Sequence, residues 1–229
     1  YMKILVTGSS GFICGYLIEK LLANNYFVVG IDNFSKYGDI KKSYDNHPNY
    51  KFIKADAKNT NLIKDLIKDC DQIVAAAAMI GGISFFHEYA YDLISENEKI
   101  ISAAFDAAIY GFKHHKLKKI NVISSSMVYE NTTLFPTPEG EQIKCPPPSS
   151  TYGFQKLSIE YFAKGAWEQY KLPYTIIRPF NCIGIGEKKA LSDKEIRSGN
   201  IKLAMSHVIP DLIQKILKNQ FPLRILGDG

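Results

Sequence analysis

The chain has 229 residues, 46% hydrophobic and 22% charged, with a formal net charge of +5, the profile of a globular protein with a sizeable core. That charge is too mild to mark a nucleic-acid binder: the densest basic run, KHHKLKK from Lys113 to Lys119, has no stacking aromatics and reads as a solvated turn. Four scattered cysteines (Cys14, Cys70, Cys145, Cys182) form no CxxC, no metal-ligand spacing is present, and the longest nearly uncharged run, Ile73 to Phe86, falls short of the ~20 apolar residues that span a bilayer.

These features lead us to expect a cytoplasmic chain with reduced thiols, no metal, no nucleic acid and no membrane segment. KILVTG begins almost at once, so no leader is expected ahead of it.

In chain order, KILVT (Lys3–Thr7) is predicted as a strand, followed by a helix from Phe12 to Asn24 and strands at Tyr26–Asp32 and Tyr50–Asp56. A short helix covers Asn61–Asp69, a buried strand Gln72–Ala77, and a long helix about Tyr91 to Tyr110. A strand at Lys119–Ser126, a helix opening at Tyr152 and a strand at Tyr174–Phe180 complete the alternation. Strand–helix alternation of this kind predicts right-handed crossovers and the α/β class: a doubly wound parallel sheet of the Rossmann type. After Phe180 the regularity ends; one helix is expected at His207–Gln220, and LRILGDG is strand-like with nothing to pair after it. Residues 1–180 are therefore expected to form the sheet domain, and residues 181–229 the start of a smaller, incomplete region.

VTGSSGFICGYL joins the first strand to the first helix. Gly8 and Gly11 sit where a dinucleotide-binding turn needs them, one for the tight turn and one for close approach of backbone to a pyrophosphate at the helix start. The third position of the pattern holds Cys14 instead of a glycine; it serves helix–sheet packing, where a small side chain is accepted. Asp32 closes the second strand, where a carboxylate can accept from ribose hydroxyls and repel a 2′-phosphate, favouring NAD over NADP. It could equally cap the turn DNFSKYG, and Asp56 at the end of the third strand could meet an adenine edge or simply form a turn.

SSTYGFQK places Tyr152 and Lys156 at i and i+4, on one helix face with Cβ atoms roughly 5–6 Å apart. An ammonium so close favours the ionised phenol.

Together, TGSSGFIC, VVGIDNFS, IVAAAAMIGG, Asn97 in the long helix, VISSSMVYE, PPPSSTYGFQK and IIRPFNCIGIGE resemble, in order, the extended short-chain dehydrogenase/reductases of the nucleotide-sugar epimerase/dehydratase family. The resemblance implies an NAD-dependent enzyme in which Tyr152 is the catalytic base, Lys156 holds the nicotinamide ribose and acidifies the phenol, and Ser125 hydrogen-bonds the reacting sugar oxygen. By the same resemblance Gly8, Gly11, Phe12, Ile13, Asp32 and Asn33 bind NAD. So do Asp56, Ala57, Ala76, Ala77, Ala78 and Asn97, with Ser124 and Pro179 completing the set beside Tyr152 and Lys156. Ser125, Ser126, Tyr152 and Asn181 are implied at the nucleotide-sugar substrate. Family members usually dimerise through a four-helix bundle, here residues 91–110 and 152–167.

The reaction implied is epimerisation at C4 through a transient keto-sugar. Dehydratases of this family resemble TDEVYG at the serine motif, where an Asp–Glu pair eliminates water; Ser126 and Met127 stand in those places, and a thioether neither gives nor takes a proton. AAMIGGI resembles the corresponding loop of GDP-4-keto-6-deoxymannose reductases and GDP-mannose 3,5-epimerases, although Asp32 disfavours the NADP that such reductases usually take. A non-catalytic NAD-binding regulatory module is the remaining alternative, opposed by the presence of Tyr152, Lys156 and Ser125 together.

Overall fold

Six short apolar segments pair side by side in the computed structural model, which describes residues 1–80, 88–187, 194–196, 199–201 and 208–223. They are β1 (Lys3–Thr7), β2 (Phe27–Asp32), β3 (Tyr50–Lys54), β4 (Gln72–Ala75), β5 (Lys119–Ile123) and β6 (Tyr174–Ile177). The helices between them are α1 (Phe12–Ala23), α2 (Thr60–Ile67), α3 (Ala90–His114) and α4 (Thr151–Tyr170). The strands form one parallel sheet in the order β3-β2-β1-β4-β5-β6. This is the doubly wound Rossmann arrangement, whose ligand crevice lies beyond the carboxyl ends of the strands where the order reverses.

Side-chain alternation along β1 splits the core in two. Leu5 faces a cluster with Ile31, Ile73, Ile120 and the inner faces of α2, α3 and α4, including Ile63, Ile67, Phe105, Ala108 and Ala163. Ile4 and Val6 point the other way, onto Cys14, Ile18 and Leu22 of α1. Covered on both faces, these strands read as continuous apolar runs. Each fully buried Leu or Ile contributes about 1.5–3 kcal/mol.

Caps fix the helix starts. The Asn59 side chain accepts from the Leu62 amide at the start of α2, and the Ser150 side chain from Gly153 at the start of α4. α4 ends at Lys171 in the left-handed region, φ 60.

β3 to β6 stop earlier than predicted, because pairing ends where neighbours diverge; the residues beyond them form the loops of the crevice. The long helix runs on to His114, so the basic run is only partly a turn. Its first residues occupy the last turn of α3, where cations are favoured. Lys116 and Lys118 lie 3.7 and 3.3 Å from the Asp71 carboxylate. Two short 3-10 helices, Ser126–Tyr129 and Glu139–Ile143, and an antiparallel pair, β7 (Lys194–Ile196) with β8 (Gly199–Ile201), had no signature in the sequence. α5 (Val208–Leu217) falls inside the predicted helix. The expected feature at LRILGDG lies, beyond Leu223, outside the described residues, as do residues 81–87 of the apolar run.

Candidate functional site

At the carboxyl ends of the strands the loops enclose a cleft of about 930 Å³, at the upper end of the range for small-molecule sites. The turn after β1 forms its floor. Gly8 has φ +73, and the Gly8 and Ser9 amides both donate to the Ile31 carbonyl at 2.8 and 3.1 Å. A Cβ on Gly8 would stand 2.8 Å from the Ala77 Cα, so the close approach of the β4 loop requires glycine. That loop is hung from β1 as well: the Thr7 hydroxyl accepts from the Ala76 and Ala77 amides at 3.2 and 3.1 Å.

α1 opens on Gly11 with no side-chain cap. Its first amides, at Phe12 and Ile13, belong to residues lining the cleft and suit a pyrophosphate. Cys14 is buried with Sγ 4.0 Å from the Thr7 carbonyl oxygen, and burial pushes its thiol up to about 12; it is packing, with no reactive thiolate. Asp32 caps the turn and also faces the cleft. Its carboxylate accepts from Phe34 at 2.7 Å, a turn-capping bond, and from Ser10 in the glycine loop at 3.0 Å, and it lines the cleft. Burial raises its carboxyl above the usual range, with the Phe34 and Ser10 amides opposing. The Asn33 side chain accepts from Ser35.

Asp56 accepts from the Lys58 amide at 2.9 Å, forming a turn, and lies beside Ala57 on the cleft wall. Lys58 bridges it (3.6 Å) to Glu96 of α3 (2.5 Å). Burial would raise the Glu96 carboxyl, but Lys58 and Lys99 together hold it at about 2.

Asn97 is the exception among the expected cofactor residues. It is 2% exposed and does not line the cleft. Its amide is spent on the backbone of Met79, accepting from the N–H at 2.7 Å and donating to the carbonyl at 2.9 Å. Asn97 therefore shapes the loop that carries Ala76, Ala77 and Ala78 and does not itself face the cleft.

At the other end Ser124, Ser125 and Ser126 follow β5, Tyr152 and Lys156 project from the first two turns of α4, and Pro179 and Asn181 follow β6; all seven line the cleft. Ser125 caps the short helix after it, accepting from Met127 at 3.2 Å. The Lys156 ammonium donates to the Ile123 carbonyl at 3.0 Å. The expected acidification of the phenol by Lys156 is not the balance these residues strike. Burial pushes Tyr152 up, with hydrogen bonding to Ser125 opposing, and burial brings Lys156 down to about 8.

Sequence reasoning missed Lys36 and Tyr37, Met79 and Ile80, Glu96, Met127 as a lining residue, and Cys182 and Glu187; Phe180, which the family resemblance sets beside the nicotinamide with Pro179, lines the cleft too. Lys36 is pushed down by burial, with Glu187 opposing from 151 residues away in sequence, a pairing no local signal reveals. Among the described residues no group of three His, Cys, Asp or Glu could hold a metal ion, and no helix is long and apolar enough to cross a membrane.

Known proteins share this arrangement. A putative UDP-glucose 4-epimerase of Methanocaldococcus jannaschii is 29% identical over 227 residues, 99% of this chain and 66% of its own length. The human dTDP-D-glucose 4,6-dehydratase is 28% identical over 191 residues, 80% of this chain. This chain spans about half the length of that enzyme. A UDP-N-acetylglucosamine 4-epimerase of Methanobrevibacter ruminantium, solved with UDP-N-acetylmuramic acid, superposes with a TM-score of 0.77 at 30% identity, covering 100% of this chain and 66% of that one. A UDP-glucuronic acid 4-epimerase of Bacillus cereus solved with NAD gives 0.68 at 30% identity, covering 100% of this chain and 67% of that one. Matched along residues 4–229 by the sequence model of that group, and built with the glycine turn and acidic strand end that NAD requires, the chain belongs to the NAD dependent epimerase/dehydratase family, with NAD as its cofactor.

Proposed function

We propose that the protein is a nucleotide-sugar epimerase acting at C4. One observation carries this reading: Ser125, Tyr152 and Lys156 share one end of the cleft, with Ser126 and Met127 beside them where a dehydratase would need an acid pair. NAD held by the Gly8–Gly11 turn and Asp32 would supply the hydride acceptor and donor for the sugar carbon. Tyr152 Oη takes the proton of the C4 hydroxyl and later gives it back, while the Ser125 hydroxyl orients the sugar oxygen. A phenol serves as base at neutral pH only if lowered by about 3 units, roughly 4 kcal/mol. Burial opposes that lowering, so it would have to come from the charged Lys156, the start of α4 and the oxidised nicotinamide together. Met127 offers no proton for loss of water, so the keto-sugar has one exit.

A homodimer through α3 and α4 belongs to the same reading, supported by the exposed Tyr91, Phe154, Tyr161 and Trp167 on those helices; light scattering gives its mass. The reaction is tested by incubating the full-length protein with NAD and a panel of UDP-, GDP- and dTDP-sugars and following the sugar protons by NMR. A C4 epimer appearing without net NADH supports the proposal. A 4-keto-6-deoxy product, or no turnover across the panel, overturns it.

A further inference from the structure

Tyr152, Lys156 and Glu160 follow one another at i, i+4 and i+8 on a single face of α4. Glu160 is 6% exposed and does not line the cleft, so it reaches neither cofactor nor sugar. Arg178, just beyond β6, is also absent from the lining, yet the two are joined by a bidentate pair: Nε to Oε1 at 2.7 Å and Nη2 to Oε2 at 2.8 Å. Burying two charges costs several kcal/mol each, and such a pair persists where its remaining polar atoms are also satisfied.

Here they are satisfied by the site's own supports. Glu160 Oε1 also accepts from the Ser124 hydroxyl at 2.7 Å. Arg178 Nη1 donates to the Tyr129 hydroxyl at 2.5 Å and to the Glu139 carbonyl at 2.8 Å. The backbone completes the frame, since the Ser124 amide donates to Ile177 O at 2.8 Å and the Ser126 amide to Pro179 O at 3.1 Å. Ser125 thus lies on a segment zipped to the β6 extension on either side of Arg178 and pinned to α4 through Ser124. It cannot move relative to Tyr152 without breaking a bond to a buried charge.

We propose that Glu160 and Arg178 are positioning residues that hold Ser125 in register with the Tyr152 phenol. The consequence is read at that phenol. The groups placed at it include Lys156 on its own helix and Ser125 after β5. Loosening the pair weakens the Ser125 hydrogen bond that favours the phenolate and leaves Lys156 held by the Ile123 carbonyl.

The proposal assumes the chemistry assigned to Tyr152 above, but its test needs no turnover. Tyr152 is titrated by NMR of isotope-labelled tyrosine ζ-carbons in the full-length protein, with Tyr152→Phe identifying the signal. In Glu160→Gln, the midpoint rises by about half a unit or more, the size expected for weakening one hydrogen bond to the phenolate, against the fall that losing the Glu160 charge alone would give. Ser124→Ala, which removes the hydroxyl's bonds to Glu160 and to the Lys156 carbonyl and changes no charge, gives a shift of the same sign with little loss of melting temperature, and decides the matter if Glu160→Gln does not fold. Melting temperatures that fall while the Tyr152 midpoint stays put make the pair a structural brace and overturn the proposal. A parent protein that fails to epimerise any sugar sinks the reaction without touching this result.

Discussion

The Lys156 ammonium lies 5.8 Å from the centroid of the Tyr152 ring, one turn along α4, and spends a hydrogen bond on the Ile123 carbonyl at 3.0 Å. The lysine is thus anchored to the end of β5 and reaches the phenol from a fixed post. Burial works against both partners, raising the phenol and lowering the ammonium to about 8. At neutral pH the lysine stays mostly charged, and its field is available to the phenolate.

Tyr152→Phe keeps the ring and its packing and removes only the oxygen that takes the proton. Turnover of a nucleotide sugar falls by about 100-fold or more, the range for loss of a general base. Affinity for NAD, measured by fluorescence titration, changes by no more than about threefold, since the loss falls on the chemical step.

Lys156 carries a pH signature in stability. Between pH 8 and 9 the unfolded chain, with an ordinary lysine near 10.5, binds more protons at this position than the folded chain does. The contribution of Lys156 to the unfolding free energy therefore rises with pH across that interval, by about 1 kcal/mol. Over the same interval Cys14 and Cys70 act oppositely, because ordinary thiols near 9.0 begin to ionise in the unfolded chain while burial keeps these two protonated to about 12 in the fold. Urea melts of the cofactor-free protein at pH 8 and 9 isolate the lysine by difference: from pH 8 to 9 Lys156→Met should lose about 1 kcal/mol relative to the parent.

Asn97→Ala strands the Met79 N–H and carbonyl inside the protein. At about 1–3 kcal/mol for each of the two buried unpaired groups, urea denaturation should register a loss of roughly 2–6 kcal/mol. NAD binding weakens along with it, through displacement of Ala76 to Ala78. Weakened binding at unchanged stability would instead mean that the Asn97 amide touches the cofactor.

Gly8→Ala places a methyl 2.8 Å from the Ala77 Cα in a backbone conformation at φ +73. The strain alone is about 1–3 kcal/mol. Either the turn or the β4 loop must shift, so calorimetry should show NAD affinity reduced by about tenfold or more. Unaltered affinity would show that the turn is not the pyrophosphate cradle.

Local periodicity and fixed spacing made much of this protein legible in its sequence. Apolar runs of strand length alternating with helical patterns dictate the doubly wound sheet; Gly8 and Gly11 mark the turn because only a missing side chain suits it; a four-residue spacing puts Tyr152 and Lys156 on one face wherever the helix goes. What the tertiary structure alone decided arises between residues far apart in the chain. Asn97 looked like a cofactor ligand until the fold brought Met79 against both ends of its amide. Glu160 and Arg178 carry no motif, and they meet only because α4 packs across the ends of β5 and β6. The direction of each pKa shift at Tyr152 and Lys156 follows from burial, a sum over neighbours that no stretch of sequence contains.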